Sequence, residues 1–432
     1  MYRIFLVLCL SVSFAACGAS DQTRDARPRA ASVAGPGGFA PQPSDERVRT
    51  VQVYRTGAES SLPIVALGSG QTLTVQFDMI DGGLGGPVSI YFYHADRFWN
   101  RRLMAVEYLR GFNSDTVREY RPSAASRVRY TNYSYAFPNN TIEFTRSGNF
   151  IMRVTELGDE RAVLFERVFF LTEEIAETDL QIQSGLGTGL GGPLMQPVAQ
   201  VRPPARFASP VYDFDVCFAR DARFDLIRCS GTPDLVGASL FQFYLPRERA
   251  FQPTGPRYVL DLSILGAGPQ IAGVDFAADP YEIELVPDDA RFATAFFDDD
   301  LLTGQTIIRG AVRDAPRPAT EAEYVNVTFR YVTRDRERVA GRVVLTGSFN
   351  GWTIDPAYQM EWDPVQGSYK GTFLLKQGKY SYTYFVEDPA EQERRLRDVD
   401  ASRPSLYTAL VYLNEPAYNT DRLVSVQSVL GQ

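Results

Sequence analysis

A single histidine, His94, in 432 residues removes whole classes of chemistry. A Ser-His-Asp or Cys-His arrangement would have to be built on that one imidazole, and a multi-histidine metal centre is excluded. Lysine is almost as scarce: Lys370, Lys376 and Lys379 stand alone, so arginine supplies nearly all positive charge, and the arginines form no basic run. With a net charge of -8 and a pI near 5.1, the chain lacks the positive field that phosphate backbones demand, so no nucleic-acid partner is expected. No apolar run is long enough to span a bilayer as a helix. No long stretch keeps a helical period either, which argues against a helical body.

Cysteine is limited to four residues, and their placement points to export. Arg3 precedes the apolar run Ile4 to Leu10, and small residues then lead to Phe14-Ala15-Ala16-Cys17, the positive, apolar, small order of a secretory signal. The tetrapeptide looks like a lipobox, so residues 1–16 read as a lipoprotein signal peptide and Cys17 as the lipidation site. An ordinary cleavage site with an incidental cysteine is the plainer alternative. Residues 17–46 are rich in Ala, Pro, Gly, Ser and Arg without apolar periodicity, which predicts a disordered tether between a membrane anchor and a folded body. With Cys9 removed and Cys17 acylated, Cys217 and Cys229 remain, an even pair in an oxidising compartment. A disulfide between them depends on hairpin register: a tight turn at Asp221-Ala222 would set Cys217 opposite Leu226 instead, leaving two buried thiols.

What the chain has in quantity is aromatic surface, with 23 Tyr and 28 Phe, a composition that favours half-buried pleated strands. Short alternating runs recur between Gly, Asn, Asp and Pro breaks, among them Leu73 to Phe77, Val88 to Tyr93, Asn149 to Val154 and Val163 to Phe170. Their spacing predicts an all-β fold of tandem β-sandwich, immunoglobulin-like domains. The expected boundaries are a first sandwich over 47–175, a middle β domain over 176–318 with a Gly/Pro-rich entry, and a last sandwich over 319–432. The entry, Gly185 to Gly192, contains Gly187, Gly189 and Gly192 in a formal G-x-G-x-x-G. No strand-to-helix context frames it, and it reads as a linker or loop.

Within the first domain, Leu62-Pro-Ile-Val-Ala-Leu-Gly68, Glu107-Tyr-Leu-Arg-Gly-Phe-Asn113, Tyr133-Ser-Tyr-Ala-Phe-Pro-Asn139 and Ser147-Gly-Asn-Phe150 follow one another in order. That succession resembles the plug family of the type IX secretion system in Bacteroidetes-type bacteria, and a looser likeness extends through Phe214 to Asp225 and Thr372 to Gly378. The resemblance implies a non-enzymatic protein with no cofactor, an outer-membrane lipoprotein facing the periplasm. It further implies a partner, the outer-membrane translocon barrel, whose periplasmic mouth the protein closes. A second likeness is narrower. Thr346-Gly-Ser-Phe-Asn-Gly-Trp352, followed by Gly378 to Val386, is similar to early-set immunoglobulin-like modules found as glycogen-binding domains. In those modules the tryptophan stacks on a sugar, which makes Trp352 a possible glycan-binding residue and a glycan-binding envelope lipoprotein the alternative function. Thr383 stands where those modules carry a lysine and no tryptophan follows Trp362, so a structural role for Trp352 is favoured.

Other candidates for chemistry read as structure. His94 follows a strand and is expected at a strand end or interface. Asp288-Asp289 and Asp298 to Asp300 lack the spaced loop and central glycine of a calcium site, so no metal is expected. Glu361 and Asp363 flank Trp362 in a pattern that invites a glycosidase reading, but two residues apart on a strand they share a face without partners.

Overall fold

The computed structural model describes residues 39, 44–124, 126–186, 193–205, 213–230, 233–237, 239–251, 258–289, 303–310, 317–387, 394–395 and 405–431. The body is built almost entirely of strands, as expected, and they pair into three sandwiches.

In the first sandwich, Val48–Arg55, Leu73–Met79, Thr131–Phe137 and Tyr120–Pro122 form one sheet in that spatial order of pairing. Facing it, Ile64–Ala66, Val163–Thr172, Gly148–Glu156, Val88–Ala95 and Ser114–Val117 form the other. Alternation drives the packing. Leu73, Val75 and Phe77 point inward from one sheet and Ile90, Phe92, Phe150 and Phe169 from the other, all with essentially no exposure. Rings meet edge to face, as Phe137 does with Phe169 at 4.9 Å, and each fully buried Phe contributes about 2–3 kcal/mol.

The second sandwich is assembled from distant pieces of chain. One sheet pairs Glu177–Leu186, Pro193–Arg202, Leu240–Tyr244 and Asp234–Gly237; the other pairs Arg228–Cys229 and Phe214–Arg220 with Ser405–Glu415 and Thr420–Gly431. The third sandwich is inserted between these halves. Its sheets hold Tyr258–Asp261, Gly378–Glu387, Ile307–Ile308 and Arg342–Gly347 on one side, and Ile271–Asp275, Glu282–Leu285, Tyr324–Val332, Ser368–Lys376 and Glu361–Asp363 on the other.

Two expected boundaries are therefore corrected. Strands from Tyr258 to Ile308, assigned to the middle domain, build the third sandwich, and 405–431, assigned to the last domain, complete the second. The break at Pro318 is internal to the third sandwich, where the proline opens the short helix Pro318–Glu321. Glu177–Leu186 and Pro193–Arg202 pair residue for residue from Glu177↔Arg202 to Leu186↔Pro193, so the expected Gly/Pro-rich entry falls in sequence between two strands of one sheet. Cys17, Gly187, Gly189, Gly192 and Asp298 to Asp300 lie outside the described residues.

Candidate functional site

Among the described residues, two seams hold the second and third sandwiches against the first. Between the first and second sandwiches lies a separate apolar core. Ala95, Trp99, Ile151 and Phe170 meet Cys217, Ala219, Phe224, Leu410, Tyr412 and Leu423 there, with Leu62 and Ile64 at its edge. Polar contacts frame it. Tyr412 donates its hydroxyl to Asn149 Oδ1 at 2.8 Å, Ser147 Oγ donates to Glu173 Oε1 at 2.7 Å, and Arg422 Nε donates to the same oxygen at 2.7 Å. Arg97 bridges Asp421 at 2.5 Å and Asp215 at 3.0 Å; burial pushes the Asp421 carboxyl up, and Arg97 opposes that. Ser147-Gly148-Asn149 is thus a joint. Gly148, at φ +142°, lies so close to His94 that a Cβ would fall 2.5 Å from Nε2.

His94 itself is buried in the first sandwich, with Nε2 3.0 Å from Ser147 O. Desolvation holds its pKa down at about 4, so it is a neutral packing residue near neutral pH.

The seam between the first and third sandwiches is ionic. Lys376 Nζ lies 2.6 Å from Asp78 Oδ2, both side chains about 1% exposed, and also donates to Ala319 O at 2.5 Å. Tyr324 donates to Asp78 Oδ2 at 2.7 Å and Asn132 Nδ2 to Oδ1 at 2.7 Å, so both carboxylate oxygens are satisfied. The ammonium stands 4.2 Å from the centroid of the Tyr130 ring, a cation–π contact. Burial lowers the Lys376 pKa and Asp78 raises it back; the same burial drives Tyr324 well above its ordinary value. Around this pair, Gln52 Nε2 donates to Thr306 O at 2.7 Å, Thr303 Oγ1 to Ser60 O at 2.6 Å, and Ser126 Oγ to Glu323 Oε1 at 2.6 Å.

The Phe349-Asn350-Gly351-Trp352 turn belongs to this seam. Its short helix Ser348–Asn350 packs on Val48–Arg55, and the Arg167 guanidinium lies where a Cβ on Gly351 would meet it at 3.2 Å. Trp352 is 9% exposed and its indole N–H donates to Gly304 O at 3.0 Å. The ring is almost wholly buried, which accords with the structural role favoured for it over glycan binding.

Cys217 and Cys229 form the disulfide, directly opposite each other in the ladder. Asp221 and Ala222 do make the tight turn, both at positive φ, but a 3-10 turn at Phe224–Leu226 takes up three residues before Arg228–Cys229 resumes pairing. That shift carries the register from Leu226 to Cys229. Asp288 accepts hydroxyl bonds from Tyr382 at 2.8 Å and Tyr384 at 2.7 Å. Asp363 Oδ1 accepts Val365 N at 2.9 Å and Gln366 N at 3.1 Å, capping a turn.

A groove of about 590 Å³ follows the first seam, with Leu67 and Ile175 among apolar walls and Glu107, Arg146, Glu173, Glu415 and Arg422 among charged ones. Its arginines are paired, Arg146 with Glu415 at 2.6 Å and Arg422 with Glu173, and Glu107 Oε2 accepts from Met104 N at 2.7 Å. A second groove of about 430 Å³ runs beside Trp362, Arg338 and Arg342. Among the described residues, no group of three or more His, Cys, Asp or Glu is arranged to hold a metal ion, and no helix is long and apolar enough to cross a membrane. The seam pairs escaped the sequence reading. The only signal available was Lys376 itself, a scarce lysine at the end of an alternating strand.

Residues 48–173 match the family described as type 9 secretion system plug protein 1st domain. No curated protein matches the chain. A solved hypothetical protein from Parabacteroides merdae is 22% identical, with a TM-score of 0.81 over 91% of this chain and 100% of its own; at that identity the likeness is one of fold. Dimeric latent PorU from Porphyromonas gingivalis is 11% identical over 89% of this chain and 34% of its own, with a TM-score of 0.13, and carries no argument.

Proposed function

We propose, from the premise that the first sandwich of this chain belongs to the type IX secretion plug family, that the protein is a non-enzymatic plug closing the periplasmic mouth of the translocon barrel. The match over residues 48–173 carries the reading; it associates the chain with type IX secretion and with the cell envelope. The physical character of the body supports the finer role. A plug must present a fixed shape and leave without unfolding, which calls for rigid seams and a modest, reversible interface rather than a catalytic cleft. The charged groove along the first seam holds paired arginines, which suits a joint better than a reaction centre. Acylation at Cys17 would hold the body beside the outer membrane and raise its effective concentration at the channel mouth.

Deletion of the protein tests this. Entry of small molecules across the outer membrane rises and the tagged protein co-purifies with the translocon barrel if it is a plug. Unchanged permeability together with unchanged secretion overturns the reading.

A further inference from the structure

We infer that the segment from Phe98 to Phe112 is a membrane-facing ridge that rests on an anionic phospholipid surface. Large apolar side chains project from it into solvent: Met104 is 70% exposed, Val106 81% and Phe112 69%. Arg102 and Arg110, 47% and 72% exposed, stand among them, facing Asp96 at 3.8 Å and Glu143 at 2.6 Å. In a chain of net charge -8, this segment carries three arginines, Arg101, Arg102 and Arg110, against one glutamate, Glu107, and that local excess beside exposed apolar stems suits the headgroup layer of a bilayer. Secondary structure fixes the ridge: Tyr108 anchors the short helix Ala105–Tyr108 by donating to Phe92 O at 2.9 Å, and Leu109–Gly111 pairs with Ile142–Phe144.

The path of the chain supports the same occupant. Phe39 packs on Trp99, ring centroids 5.3 Å apart, so the polypeptide leading from Cys17 meets the folded body at the start of this segment. The residues from Cys17 to Phe39 span at most roughly 75 Å. An acyl group on Cys17 would therefore leave the bilayer within reach of the ridge. This part of the argument rests on the lipoprotein reading above, while the ridge's affinity for lipid does not require the acyl chain.

The test uses the full chain carrying Cys17→Ser, which cannot be acylated, with vesicles of phosphatidylcholine alone or with about one-third phosphatidylglycerol. Co-sedimentation with the anionic vesicles is expected, falling about tenfold in Val106→Asp/Phe112→Asp and in Arg102→Glu/Arg110→Glu, and weakening with salt. Val365→Asp, at an apolar residue 87% exposed on the third sandwich, serves as the control and binds like the parent. No binding to anionic vesicles, or equal binding by the ridge variants with unchanged melting temperature, overturns the inference. Loss of barrel co-purification in the ridge variants with vesicle binding intact also overturns it, in favour of a protein contact. Because acylation is absent throughout, failure here leaves the plug and the anchor to be judged by the deletion experiment and by the mass of the native protein.

Discussion

Removing a carboxylate and an ammonium from water costs several kcal/mol for each, and Asp78 and Lys376 recover that only because every partner is in place. Tyr324 and Asn132 satisfy the carboxylate, and Ala319 O and the Tyr130 ring receive the ammonium. Lys376→Met leaves the carboxylate buried and uncompensated, with an expected loss of about 3–5 kcal/mol in denaturant unfolding. Lys376→Met combined with Asp78→Leu should recover much of it, since the pair is then replaced by apolar volume; a double variant as unstable as the sum of its parts would refute this account. His94 acts in the opposite sense. Its folded pKa of about 4 lies below the unfolded value near 6.5, so the unfolded chain binds the extra proton in that window. The contribution is fully present above about pH 6.5 and falls by about 3 kcal/mol as pH drops to 4. His94→Gln, which keeps an N–H for Ser147 O, should flatten that part of the stability-against-pH curve; identical slopes for the two proteins would assign the acid sensitivity to carboxylates instead.

Individual strands were legible because inward alternation survives in the sequence. In Tyr324–Val332, Val325, Val327, Phe329 and Tyr331 are buried while Asn326, Thr328 and Arg330 are less so, the alternation the residues themselves carry. What alternation does not encode is the partner. Phe214–Arg220 pairs with Ser405–Glu415, nearly 200 residues away, and a strand's hydrophobic face is the same whichever neighbour covers its edge. The boundary expected at 318/319 therefore divides the nested third sandwich between two domains. At Cys217 the outcome turned on one local feature, the 3-10 turn at Phe224–Leu226, which has no strong sequence signature. The resulting disulfide closes a short loop, separation 12 in sequence, on a strand that belongs to the inter-sandwich core. Cys217→Ser/Cys229→Ser should lower stability by about 3 kcal/mol through the freed unfolded chain, and reducing agent should affect the parent alone. Equal thermal stability of parent and variant would mean that the bond adds nothing beyond packing.

Three sandwiches strung on linkers would unfold independently, whereas here the third is inserted into the second and both are fastened to the first. The motifs that resemble the plug family fall largely on those fastenings. Ser147 and Asn149 hold the second sandwich, and the strand ending at Lys376 holds the third. Such a distribution suits the proposed plug role, since relative motion of the bodies would open a path around a plug. Calorimetry of the full chain should accordingly show one cooperative transition. Asp78→Ala/Gln52→Ala cuts two of the contacts to the third sandwich and should split that transition, with an early phase from the third sandwich and a later one from the rest. In cells the same variant should admit more small solute across the outer membrane at equal protein level. A variant that still melts in a single transition would show that apolar packing alone couples the sandwiches, and a split without leakage would separate rigidity from closure.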